Sequence, residues 1–259
     1  MGKLATIGRI FFGTAIAGIG LQAVYYRDFP YIVTIPQHAP QTGIVMLAVI
    51  FGILFILDGA STLLKIKARP VSLLFGFVLL LIFCFYYIPY QFIVSTKYMH
   101  LGDWENAVKI LTLAAGALVI AGLFPKKNGD SFTGFLEKLA PFGSILFAIT
   151  IIDYGISHFL YAKEASDYVP SWIPYHLFWM YFCGAALLGS GIAILLKIRV
   201  GLSASLLGTM IFIWFISLHI PRVVVSPIAD IGGELTSAFL ALAYSGTAFV
   251  IAGANKKIS

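Results

Sequence analysis

Eight stretches of this chain, approximately 6–25, 43–64, 70–89, 105–124, 141–161, 176–196, 200–220 and 234–254, are predominantly apolar. Each matches the roughly 20 apolar residues a helix needs to cross a hydrocarbon core of about 30 Å. In lipid every backbone N–H and C=O must be satisfied within the segment, so the runs read as helices. Of the 259 residues only 11% are charged and 60% are hydrophobic, against roughly 25% charged in a soluble domain. That excludes a soluble globular protein, a disordered chain and a nucleic-acid binder. Little chain remains outside the runs, so no separate soluble domain is expected. The partner every helix requires is the lipid bilayer.

Basic residues orient the helices, because cytoplasmic loops collect Lys and Arg. With the N-terminus inside, the inner positions are Lys3, Arg9, Lys65, Lys67, Arg69, Lys126, Lys127, Lys138, Lys197, Arg199, Lys256 and Lys257. The outer ones are Arg27, Lys97, Lys109, Lys163 and Arg222. Both termini are therefore expected in the cytoplasm. The charged start and apolar run resemble a signal peptide, but no small-x-small cleavage site follows, and the run reads as a retained helix. The myristoylation-like start from Gly2 to Thr6 reads as a chance match. Cys84 and Cys183 lie in apolar runs without metal or redox spacing and read as small core hydrophobes.

The chain repeats itself. Shifted by 132, residues 52–90 fall on 184–222 without a gap, and 11 of the 39 pairs are identical, among them Gly52/Gly184, Gly59/Gly191, Lys65/Lys197 and Pro89/Pro221. Upstream, Pro36-x-x-x-Pro40 matches Pro170-x-x-x-Pro174, and downstream Ile120-Ala121-Gly122 matches Ile251-Ala252-Gly253. The expected architecture is an all-α membrane protein of eight transmembrane helices, two parallel-repeat four-helix bundles spanning 1–124 and 141–259. Four helices are an even number, so both copies enter the membrane alike, related by an axis along its normal. Residues 125–140 join them as a cytoplasmic linker with a short surface helix around Phe132, Phe135, Leu136 and Leu139.

The second copy resembles the DoxX-like family of bacterial membrane proteins. The resemblance rests on Gly155-Ile156-Ser157-His158-Phe159, Val169-Pro170-x-x-Ile173-Pro174, the small residues from Gly184 to Gly191, His219-Ile220-Pro221-Arg222, and Ala248-x-x-Ile251-Ala252-Gly253. Family units have four helices, so the chain looks like two fused units. The resemblance implies a multi-pass protein of the bacterial inner membrane. Its name-giving members are membrane subunits of thiosulfate:quinone oxidoreductase, which makes quinone the one cofactor it suggests. The first copy departs from the pattern, with Ala23, Tyr87 and Tyr90 in place of His158, His219 and Arg222.

A site in one copy should stand where the copies differ. Asp153, His158, His219 and Arg222 replace Gly18, Ala23, Tyr87 and Tyr90, while Glu234 aligns with Asp103. Asp153 lies near mid-helix, where a charge costs roughly 2.5–3.5 kcal/mol on insertion scales. The candidate site is an outward-facing pocket of Asp153, Tyr154, His158, His219, Arg222 and Glu234 with Trp172 over its mouth. Histidine suits proton transfer near neutral pH, and Arg222 an anion or a quinone carbonyl. The competing reading is a structural polar network built on Arg222–Glu234. Asp58 is expected to pair with Lys65 near the inner surface. No metal spacing, phosphate-binding loop, haem attachment sequence or nucleophile elbow is present. Three functions fit: an accessory or scaffold subunit that binds a partner protein in a membrane complex, a quinone- or lipid-linked redox component, or a small-solute transporter.

Overall fold

The computed structural model describes residues 2–30, 42–95, 99–126, 131–226 and 231–255. Pro36, His38, Pro40, Lys97, Lys127, Lys256 and Lys257 lie outside the described residues. Within them the chain is helix and turn, and eight helices are long and apolar enough to cross a membrane. They are α1 (Lys3–Tyr26), α2 (Thr42–Leu64), α3 (Ala68–Val94), α4 (Leu101–Gly122), α5 (Gly143–Leu160), α6 (His176–Leu195), α7 (Val200–Val225) and α8 (Ile231–Ala254). A short helix, Ser131–Glu137, precedes α5. It docks on α3 through Phe77–Phe135 and Phe77–Phe132 ring contacts and a buried Leu136.

The most enclosed helices are α4 and α8, which stand against each other. Their composition explains the position, since Ala, Gly and Thr let neighbouring backbones approach closely. α1 packs along α8 and α2, α4 along α3 and α5, and α8 also along α7. The α1–α8 crossing is the tightest. A Cβ on Gly8 would stand 2.3 Å from the carbonyl oxygen of Gly246, and one on Gly246 would stand 2.6 Å from that of Gly8. Ala5 meets Gly253 further along, so the start of α1 and the end of α8 lie at one end of the bundle, here the terminal end. The opposite end is the far end.

At the terminal end two hairpin turns join α2 to α3 and α6 to α7. Lys65 and Lys67 in the first, and Lys197 and Arg199 in the second, take left-handed backbone conformations. The turns close through Ile66 N–H to Ser61 O at 3.2 Å and Ile198 N–H to Ala193 O at 2.8 Å. That bond pattern satisfies the last helical carbonyls as a glycine C-cap would. Two arginines, Arg9 buried and Arg69 half-buried, bond further helix-end carbonyls here. Arg9 donates to the carbonyls of Thr62 and Leu63. Arg69 donates to those of Ala121 and Phe124 and forms an ion pair with Glu137.

Pro89 and Pro221 do not end their helices as expected. α3 continues to Val94 and α7 to Val225. In each case a five-residue π-helical turn, Phe83–Tyr87 or Phe215–His219, comes just before the proline. Proline lacks an N–H and its ring crowds the carbonyl four residues back. The wider π turn relieves that clash and the helix resumes.

Candidate functional site

At the far end, α7 and α8 are tied by Arg222 and Glu234. The Arg222 Nε–H donates to Glu234 Oε2 at 2.8 Å and a second N–H donates to Oε1, so the pair is bidentate. The guanidinium carbon lies 4.6 Å from the ring centroid of Tyr168, within cation–π range. Tyr168, absent from the expected pocket, thus lies over this pair with its outer face still exposed, whereas Trp172, on the same loop and also exposed, makes no contact with it. Val169 and Ile173 explain the choice: both are buried with Met180 against Trp179 and Trp214, which leaves Trp172 facing out. His219 lies one turn before Arg222 with its Nδ1 buried and without a hydrogen-bond partner.

α1 reaches the same end of α8. The Gln22 side chain donates to the Gly232 carbonyl and accepts from Thr236 Oγ1 at 2.9 Å. Gln22 was not anticipated, because a lone polar residue near a helix end carries no distinguishing signal in one sequence.

Asp153, Tyr154 and His158 on α5 face other partners. The Tyr154 and Tyr244 hydroxyls lie 3.1 Å apart, with the Thr112 hydroxyl beside both. On α8, Tyr244 is ten residues from Glu234, about 15 Å along the axis, so Tyr154 and Arg222 sit at different depths. His158 donates from Nδ1 to the Tyr154 carbonyl at 2.8 Å. That bond places the proton on Nδ1 and leaves Nε2 as an acceptor. Asp153 is half-buried and makes no hydrogen bond or ion pair among the described residues. Six of the seven expected residues therefore form two groups, His219, Arg222 and Glu234 on α7 and α8 and Asp153, Tyr154 and His158 on α5, and Trp172 stands apart on its loop.

Two further polar positions differ from expectation. Lys109, counted among the outer basic residues, is buried inside α4, its Nζ 2.7 Å from Glu105 and 3.3 Å from Asn106 Oδ1. Asp58 does not pair with Lys65. It is fully buried and accepts from Ser72 Oγ at 2.6 Å, while Lys65 is exposed in the hairpin turn. Among the described residues no group of three or more His, Cys, Asp or Glu is placed to hold a metal ion. A cavity of about 170 Å³ lies at the terminal end, away from all seven candidates, lined by α4, α5 and α8 residues including Val119, Ser144, Val250 and Asn255.

Compared with protein-family models, curated proteins and solved structures, the chain finds no match in any of the three.

Proposed function

We propose that this protein is an accessory or scaffold subunit of a complex in the bacterial cytoplasmic membrane, built as two DoxX-like four-helix units in tandem with both termini in the cytoplasm. One observation carries the functional part: four of the polar side chains of the candidate site, Arg222, Glu234, Tyr154 and His158, are engaged with one another, with a neighbouring helix or with their own. Arg222 is matched by Glu234, Tyr154 by Tyr244, and His158 Nδ1 by a carbonyl of α5. A ligand or catalytic site needs several groups converging on one concave point. These groups instead tie α5, α7 and α8 together.

The tandem reading is supported by features that recur at the repeat spacing. The π turns begin at 83 and 215, and the left-handed turn residues stand at 65 and 67 and again at 197 and 199. Gly143 meets Ala115 O and Val119 N of α4 as Gly8 meets Gly246 O and Val250 N of α8. The cytoplasmic assignment of the terminal end rests on its lysines and arginines. A second reading, a quinone- or lipid-linked redox component, is favoured by His219 Nδ1 and Asp153, which lack partners among the described residues.

The two are separated by solvent extraction and mass spectrometry of protein purified in mild detergent, wild type beside His158→Ala and Arg222→Ala. The accessory reading expects only bulk phospholipid, unchanged in both variants. A stoichiometric quinone lost from both would replace it with the redox reading.

A further inference from the structure

The outward surface of α5 is apolar except at one position. Ile149, Ile156 and Leu160 point outward, 47%, 40% and 60% exposed. Asp153 falls on the same stripe, four residues after Ile149 and three before Ile156, and is half-buried. It stands ten residues after Gly143, about 15 Å along the helix, the middle of a hydrocarbon core of about 30 Å. An aspartate is too short to carry its charge from there to the headgroups, as Lys and Arg near helix ends do.

The basic groups on the neighbouring helices are turned to other partners. α5 packs along α4 and α6. α4 brings Lys109, whose Nζ lies 2.7 Å from Glu105 and 3.3 Å from Asn106 Oδ1, and α6 brings only His176 at its first position. His158, on α5 itself, is five residues on, about 140° round the helix, and its Nδ1 donates to the Tyr154 carbonyl. Asp153 makes no hydrogen bond or ion pair among the described residues. In α1 the position aligned with Asp153 is Gly18, where a Cβ would stand 2.4 Å from the ring of Phe239 on α8. The residue of α4 aligned with Phe239 is the smaller Val108. The second copy therefore gains the acid and loses the ring that covers this position in the first.

We propose that Ile149, Asp153, Ile156 and Leu160 form a docking face for one transmembrane helix of a partner protein, a helix that carries a lysine or arginine at mid-membrane. On the accessory reading, which this deepens and on which it rests, that protein is the partner in the complex. A charge in the bilayer interior is costly unless paired, and a basic side chain on a neighbouring span supplies the missing counter-charge. The spacing of four, three and four residues along the stripe is that of a seam into which a second helix packs. A second copy of this chain does not fit. Among the described residues its lysines and arginines stand near helix ends or in turns, and Lys109 is enclosed. The acid is present in one half only, so each chain takes one such helix.

The test is photo-crosslinking of the full-length protein in its native membrane. A benzoylphenylalanine is placed at Ile149 and, for comparison, at Ile53 on α2 or Leu206 on α7, which are also exposed. The Ile149 probe should give one discrete protein adduct, linked to a span with Lys or Arg within about one turn of its midpoint. Asp153→Asn should cut the yield about ten-fold, and Asp153→Glu should keep most of it. Asp153→Lys, paired with a change of the partner's basic residue to aspartate, should restore the adduct. Crosslinks to lipid alone would show an acid that faces the bilayer unpartnered and overturn the proposal. So would an adduct with a second copy, or one whose yield is unchanged in Asp153→Asn. Protein adducts from Ile53 or Leu206 with none from Ile149 would overturn this face and leave the accessory reading standing. A stoichiometric quinone in the extraction described above would overturn that reading whatever the crosslinks show.

Discussion

At the scale of single residues, the Arg222–Glu234 pair is the contact whose removal should be felt most at the far end. Its side chains are 28% and 19% exposed, so solvent weakens the attraction without abolishing it. Bidentate geometry and the Tyr168 ring keep it well above an ordinary surface pair. Arg222→Ala should lower stability by about 2 kcal/mol, read as a fall in Tm, and the exchange Arg222→Glu with Glu234→Arg should recover part of it. A Tm unmoved by Arg222→Ala would show that the pair ties nothing together. The sequence pointed to this pair because both residues flank one short loop and carry opposite charge. It could not point to Tyr168 over Trp172, since burial of Val169 and Ile173 beneath the loop decides which ring meets Arg222. Nor could it show that Tyr154 meets Tyr244, because that contact depends on how α5 and α8 cross around α4.

Among the elements, the α1–α8 crossing is where substitution should do most harm. A Cβ at Gly8 would fall 2.8 Å from Val250 N as well as against Gly246 O, and backbone cannot move aside as a flexible side chain can. Gly8→Leu should therefore prevent accumulation of folded protein, and Gly8→Ala should cost about 3 kcal/mol or more, in the range of overpacked cores. Gly189→Ala is the matched control, because a Cβ there meets nothing within 4 Å. It should be neutral or slightly stabilising, by up to about 1 kcal/mol from helix propensity. Fluorescence-detected size-exclusion chromatography after heating distinguishes the two, and equal behaviour would contradict the crossing. The spans themselves were legible, since hydropathy over twenty residues reports directly on lipid. The ends of α3 and α7 were not. Proline reads as a stop, and whether a π turn absorbs it depends on packing that local sequence does not encode.

For the whole molecule, orientation is the property most readily checked. In a background with Cys84 and Cys183 replaced by serine, cysteines at Lys126 or Lys197 should react with a membrane-impermeant maleimide only after the membrane is opened. A cysteine at Lys163 should react in intact cells. The reverse pattern would invert the topology. The proposed duplication rests on glycines, lysines and prolines that align within the sequence. The way the halves engage was not legible there, because it depends on contacts between residues that are far apart in the chain. α1 lies along α8, α4 along α5, and α4 along α8. Severing the chain between α4 and α5 would leave all three seams in place, with two fragments still held as one body. Either fragment made alone would present to lipid the small-residue faces that normally meet the other half, and a second copy of itself would be the nearest surface able to cover them. On the tandem reading the halves are two subunits of an internal dimer joined by one linker, and the protein should melt as a single unit.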